Sequence, residues 1–255
     1  MSNVRQVAAE APRTRTAASA PGGAAEQTRR RLVDAGLVLF GRYGFDGVTT
    51  RMLAAEAGVN QAAIPYHFGG KQGVYLAVAR ALCDTSAPLL RAAIESAQQR
   101  LVRCGAPSRA PDGVPQGAPD APEDAELAGV LADFVGDVAA ALLGHPDISA
   151  SYAFFIREQL GESAAFEIIE RECLAPVHDL LCELTGRVVG EPPQSETVIL
   201  LAHALLGQIA SFAGSRPMLL RRLGRKAGYS AGDLAAIVAT VRRLALAMVL
   251  GWRRS

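Results

Sequence analysis

Apolar side chains recur at helical spacing along almost the whole chain. Leu32, Ala35, Leu39, Phe40 and Tyr43 share one face, and Gly41 and Gly44 bracket its end, which predicts a first helix over roughly 25–42. Thr49 is a good N-cap for a short second helix, Thr50–Ala57, ended by Gly58. Asn60 caps a third helix that starts at Gln61 and stops near Phe68, ahead of Gly69-Gly70. A fourth starts at Lys71 and buries Val74, Val78, Ala81 and Leu82; Pro88 is expected to kink or break it before the pattern resumes at Leu89, Leu90, Ile94 and Leu101. The segment CGAPSRAPDGVPQGAPDAP, with five prolines, excludes a helix or a central strand and reads as a mobile or polyproline-like insertion.

Helical spacing then returns at about 123–143, 147–160, 163–187, 193–213, 216–224 and 230–251. Pro146-Asp147, Ser163, Pro192-Pro193 and Ser230 mark starts, and Gly144, Gly161, Gly190 and Gly214 mark stops. Ser230 followed by Asp233 reads as a capping box with Asp in place of Glu. No alternating strand pattern and no internal repeat is found. The expected fold is all-α. Residues 1–23 form a flexible arm, 24–84 a three-helix domain with a helix-turn-helix, and 85–255 a larger helical body carrying the insertion at 104–122.

Composition narrows the class. Half of the 255 residues are hydrophobic and 20% are charged, which excludes wholesale disorder. The formal net charge is only +1, but its division matters: residues 1–80 hold ten Lys and Arg against five Asp and Glu. A basic first third on an acidic remainder suits an end that meets a polyanion, although a solvated imbalance would look the same. The four cysteines (Cys83, Cys104, Cys173, Cys182) form no CxxC pair and no zinc-spaced cluster, so they read as thiols in a reducing compartment, with no metal and no cofactor expected. The N-terminal segment lacks an apolar core of the secretory type, and the apolar segments Val198–Ala213 and Leu234–Leu250 are interrupted by polar residues, so a cytoplasmic protein without membrane spans is expected.

The segment TRMLAAEAGVNQAAI carries the most chemistry. Two helices that cross steeply through a short turn need a small residue where they touch, a residue tolerant of positive φ in the turn, and an apolar anchor on the second helix. Ala54, Gly58 and Ile64 meet these demands in order, with Leu53 and Val59 completing the seam. This is the helix-turn-helix that lays its second helix in the DNA major groove, although an αα-hairpin with a glycine turn has the same spacing.

The stretch LVLFGRYGFDGVTTRMLAAEAGVNQAAIPYHFGGKQGVYLAV resembles the DNA-binding domain of TetR-type transcriptional regulators over about residues 25–80. The likeness rests on F-x-x-x-G-F at Phe40–Phe45, the Thr pair before helix 2, Ala57-Gly58-Val59, Tyr66-x-Phe68 and Lys71. AAIPYHFGGKQGVYLAV with FFIREQL further resembles the CerR subgroup of TetR-like regulators. The resemblance implies roles that chemistry can check. Gln61, Ala62 and Ala63 face the groove floor behind Asn60; Gln pairs with adenine and Ala contacts the thymine methyl. Thr49, Thr50 and Arg51 meet phosphate at the start of helix 2, and Lys71 adds charge at the N-terminus of helix 4. Tyr66 and His67 suit phosphate or sugar, unless Tyr66 packs on helix 1 and His67 is silent. Pro65 leaves their facing open, because it removes one backbone donor. Arg5, Arg13 and Arg15, with Arg29, Arg30 and Arg31, form either a minor-groove arm or a solubilising tail.

The later helices should dimerise and sense. Val198, Leu201, Leu205, Ile209 and Phe212, and Leu234, Ile237, Val241, Leu244 and Met248, form broad apolar faces, with Ala202, Gly207, Ala210 and Ala245 permitting close approach. These faces make either a four-helix seam between two copies, through helices near 193–213 and 230–251, or the core of one chain. The resemblance implies a homodimer on a palindromic double-stranded DNA operator and an unidentified small-molecule effector. Arg157, Glu158, Gln159, His178, His203 and Gln208 are the effector candidates, each equally readable as a satisfied core group. Arg157 stands out as a cation suited to an anionic effector. The expected function is a ligand-responsive repressor; the competing one is a helical ligand-binding or scaffold protein whose helix-turn-helix no longer reads DNA. No phosphate-cradling glycine loop, nucleophile elbow or metal cluster favours an enzyme.

Overall fold

A computed structural model describes residues 21–104, 121–144, 148–161, 163–226 and 228–253. The N-terminal segment to residue 20, most of the Pro-rich insertion and Pro146-Asp147 lie outside the described residues. The described residues form helices with no β-strand among them.

The first four helices are α1 (Pro21–Tyr43), α2 (Thr50–Ala57), α3 (Ala63–Phe68) and α4 (Lys71–Arg103). α1 starts four residues ahead of the spacing-based expectation, with Pro21 at its first position, where the missing N–H has no helical partner. Leu32, Phe40, Leu53, Ile64 and Val74 are buried together, so the four helices share one core. α4 runs unbroken through Pro88, contrary to the expected kink or break. Pro88 and Asp84 are both exposed, so the Asp84 carbonyl that the proline leaves without a helical donor is on the solvent side.

The body is α5 (Ala121–Leu143), α6 (Ile148–Gln159), α7 (Ala164–Ile169), a π turn (Glu170–Leu174), α8 (Ala175–Val189), α9 (Glu196–Gly214), α10 (Arg216–Arg222) and α11 (Ala231–Arg253). The helix expected over 163–187 is therefore interrupted by a π turn just before Pro176, whose ring has no N–H for the α-helical bond. α5 packs on α4, α8 and α11. Asp137 on α5 pins this layer, accepting from Arg100 of α4 and Arg242 of α11, each at 2.8 Å.

The apolar faces of α9 and α11 are the chain's own core. Val198, Leu201, Ala202, Leu205, Ile209, Ile237, Val241 and Ala245 are all buried within one chain, and Phe212, Leu234 and Met248 pack partly against them. At these positions, though not for the helices as a whole, the reading as a seam between copies is corrected: α5 and α8 present apolar faces that these residues cover. Leu244 alone of the leucines and larger residues named for that seam is exposed, at 47%.

Candidate nucleic-acid interface

The turn between α2 and α3 is built as the spacing demands. Ala54 is buried at the crossing, Gly58 adopts φ 58°, and Ile64 is fully buried beneath α3. A Cβ at Gly58 would also lie 2.5 Å from Nη2 of Arg31, whose guanidinium donates to the Gly58 carbonyl at 3.1 Å. Thr49 caps α2, its hydroxyl accepting from Met52 N–H at 3.2 Å.

α3 begins at Ala63, two residues after the expected start at Gln61. Asn60 instead closes an Asx turn, Oδ1 accepting from Ala62 N–H at 2.9 Å. Ile64 N–H then reaches Gln61 O at 3.1 Å, a tight first turn. Pro65 consequently sits in the opening turn, where its absent donor costs no helical hydrogen bond.

The side chains expected to meet DNA are all at least partly exposed. Arg51, Asn60, Gln61, Ala62 and Tyr66 are exposed, and Ala63, Thr50 and His67 are half-buried. Gln61 Nε2 donates to Thr50 Oγ1 at 2.9 Å, which binds the start of α3 to the start of α2. Tyr66 is 83% exposed, so it does not pack on α1; its ring meets His67 edge-on. Lys71 is partly engaged: Nζ donates to Phe45 O at 3.0 Å and lies 4.0 Å from the Phe45 ring centroid.

Two arginines counted with the basic arm do structural work here. Arg29 donates to His67 O at 2.8 Å and stacks on Phe68, holding the end of α3 to α1. Arg31 holds the turn. The signal in the sequence was their position on α1, three residues and one residue before Leu32; the partners are carbonyls, which no residue pattern displays.

The six effector candidates do not converge. Arg157 caps the end of α1, with Nε on Gly41 O and Nη2 on Arg42 O, both at 2.8 Å. Glu158 is buried and accepts from Tyr75 of α4 and from Ser163. Burial, and then the Glu158 hydrogen bond, hold the Tyr75 phenol well above its ordinary range. Phe40, Phe45 and Phe154 pack around the Tyr75 ring with centroids 4.9–5.6 Å away. Gln159 is exposed. His178 and His203 face each other between α8 and α9, with His178 Nδ1 3.5 Å from Cys182 Sγ. Gln208 reaches across to Met248 on α11, and its Oε1 is buried without a partner. Tyr75 was not anticipated, being an ordinary helix residue until α6 is laid against α4; Ser163, read as a helix start, does cap α7, but its bond to Glu158 was not foreseen.

A steep helix pair with an exposed second helix, at one end of a helical body, defines a DNA-binding transcriptional regulator, and the comparisons agree. The profile of bacterial regulatory proteins of the tetR family matches residues 32–78, and that of the C-terminal domain of the HTH-type transcriptional dual regulator CecR matches 127–251. The CecR regulator of Shigella flexneri is 32% identical over 199 residues, covering 78% of this chain and 81% of the relative. The regulator SrpR of Pseudomonas putida is 43% identical over 54 residues, 21% of this chain and 25% of its own. A solved structure from Pseudomonas aeruginosa PAO1, a putative transcriptional regulator by description, superposes with a TM-score of 0.54 at 20% identity, covering 90% of this chain and 93% of that one. The chain belongs to the TetR family, and its body is of the CecR type; the subgroup name CerR is corrected accordingly.

Proposed function

We propose that the protein binds a palindromic operator as a homodimer and is released by a small-molecule effector. Bound over a promoter, it represses; the Shigella flexneri relative is described as a dual regulator, and control of both signs is proposed here too. The observation that carries the reading is the recognition surface: Gln61 and Ala62, just ahead of α3, and Tyr66 on it are exposed, while Ile64 and Phe68 anchor the helix. Gln61 reads a base, Thr49, Thr50, Arg51 and Lys71 meet phosphates, and Tyr66 and His67 meet the flanking backbone.

A partner copy is called for by α9 and α11. Glu196–Gly214 and Ala231–Trp252 are apolar and long enough to cross a membrane by length and composition, yet only 33% and 22% of their apolar windows are buried. Ile199, Leu200 and Ala204 on α9 and Ala235, Ala239 and Leu244 on α11 form the uncovered side. A second copy of the same pair covers it by two-fold symmetry and sets two recognition helices roughly 34–36 Å apart. The proposed location is the cytoplasm, with the DNA.

Release follows from the joint at α6. Arg157 and Glu158 tie α6 to α1 and α4, so an effector that favours a different α6 position shifts the population of DNA-domain orientations. The test is titration of fluorescent upstream DNA with the protein at two salt concentrations. Sequence-selective, salt-sensitive binding is expected; equal affinity for scrambled DNA sinks the reading.

A further inference from the structure

α3 is six residues long, too short for its own hydrogen bonds to fix its axis, so its direction depends on what holds its two ends. The front end is tied twice. Gln61 bonds Thr50 of α2, and Arg31 of α1 donates to the Gly58 carbonyl at 3.1 Å. Ile64 is the buried anchor beneath. The back end runs into Gly69 and Gly70, at φ 72° and 134°, and a Cβ on either would meet nothing within 4 Å. The link to α4 is therefore an unpacked pair of glycines, which carries little orientation from α4 to α3.

The back end is pinned instead by Arg29 of α1. Its Nη1 donates to the His67 carbonyl at 2.8 Å, and its guanidinium carbon lies 4.6 Å from the centre of the Phe68 ring. His67 is in the last turn of α3, where carbonyls lack a helical donor and the negative end of the helix favours a cation. Glu26, one turn earlier on α1, is 4.0 Å from Arg29 Nε, a longer contact than the bond to His67. Arg30 is placed differently. At 3.6 residues per turn it lies about 160° round α1 from the buried Leu32, and it is exposed, so it faces away from the core that seats α3.

We infer that Arg29 is a positioning residue of the recognition helix: it sets the tilt of α3 against α1, and through that the aim of Gln61 and Tyr66, without itself touching DNA. The inference rests on the DNA-binding reading above and deepens it, moving one arginine of the basic arm from charge to specificity. Without Arg29, α3 tilts about its Ile64 anchor and carries Gln61 and Tyr66 in opposite directions. Reading a base edge with both groups of an amide tolerates little tilt, whereas attraction to phosphate tolerates much, so discrimination falls before overall attraction does.

The test uses the full-length protein, the fluorescent upstream DNA and its scrambled counterpart. Arg29→Ala is expected to lower the ratio of the two affinities about tenfold, with the slope of log affinity against log salt unchanged. A phosphate contact does the reverse, keeping the ratio and losing about 0.9 of slope. A role confined to folding lowers the melting temperature and leaves ratio and slope alone. Either of these results overturns the inference, as does an equal loss of ratio in Arg30→Ala. Arg29→Met keeps the stem against Phe68 and loses the guanidinium; it carries the same expectations if the alanine variant does not fold. Hydrogen exchange of the DNA-free protein gives a readout that does not pass through DNA: the peptide spanning 61–70 should exchange faster in the variant, with α4 unchanged. Unaltered exchange there overturns the inference even where the upstream DNA is bound selectively. Equal affinity of the unsubstituted protein for both DNAs instead overturns the DNA-binding reading, and this inference with it.

Discussion

Gln61 makes two demands on one amide. Its Nε2 donates to Thr50 in the free protein, and the exposed side chain is the one proposed to read a base. Gln61→Ala is expected to cost about 1–3 kcal/mol against one base pair and to flatten discrimination there, read by binding to single-substituted operators. Lys71 differs, because its ammonium already serves Phe45 O. Lys71→Ala should weaken all sequences alike and lower the melting temperature as well, which separates it from a purely phosphate-facing lysine. Gly58 answers to backbone rather than DNA: at φ 58°, Gly58→Ala is expected to lose about 1 kcal/mol in urea denaturation, since alanine resists that conformation and its Cβ displaces Arg31.

Among the helices, the start of α11 and the middle of α4 give opposite lessons. The Ser230–Asp233 box forms in both directions: Ser230 N–H donates to Asp233 at 3.0 Å and Asp233 N–H to Ser230 Oγ at 3.1 Å. Arg225 adds a bidentate contact, and these partners hold the Asp233 carboxyl well below the usual carboxylate range, Arg225 contributing most. A depressed folded value means the stabilisation is present above the unfolded carboxylate value, about 4, and is lost as pH falls from there toward the folded one. Asp233→Asn should therefore be less stable than the parent at pH 7, with the two melting curves converging as the pH is lowered below about 4. Pro88 sits at mid-helix in α4. Its helix-interior penalty of about 3 kcal/mol exceeds the roughly 1 kcal/mol it removes from unfolded-chain entropy, so Pro88→Ala is expected to stabilise the chain by about 2 kcal/mol in urea denaturation.

For the whole molecule, burial separates two leucines that share an apolar periodicity. Leu205 is fully buried and Leu244 is 47% exposed. Leu205→Ala should cost about 2–5 kcal/mol of folding stability through the cavity it leaves. Leu244→Glu should leave the monomer folded and shift sedimentation from dimer to monomer, because it puts charge on the uncovered side of α11. The joint at α6 is likewise a property of the assembled chain. Arg157 cannot select an effector anion while its guanidinium caps α1, and the buried member of the pair is Glu158.

Helix positions, the glycine-hinged turn and the capping box at Ser230 were legible in residue order, because caps, turns and 3.6-residue periodicity act over a few neighbours. Even there the start of α3 slipped by two residues, since an Asn that caps a helix and one that closes an Asx turn look alike. Which apolar face meets its own chain and which is left uncovered was decided only when α5 and α8 chose their partners: periodicity marks a face as apolar and cannot say what covers it. The tie from Glu158 to Tyr75 spans 83 residues of sequence, and a contact at that range exists only once the helices are packed.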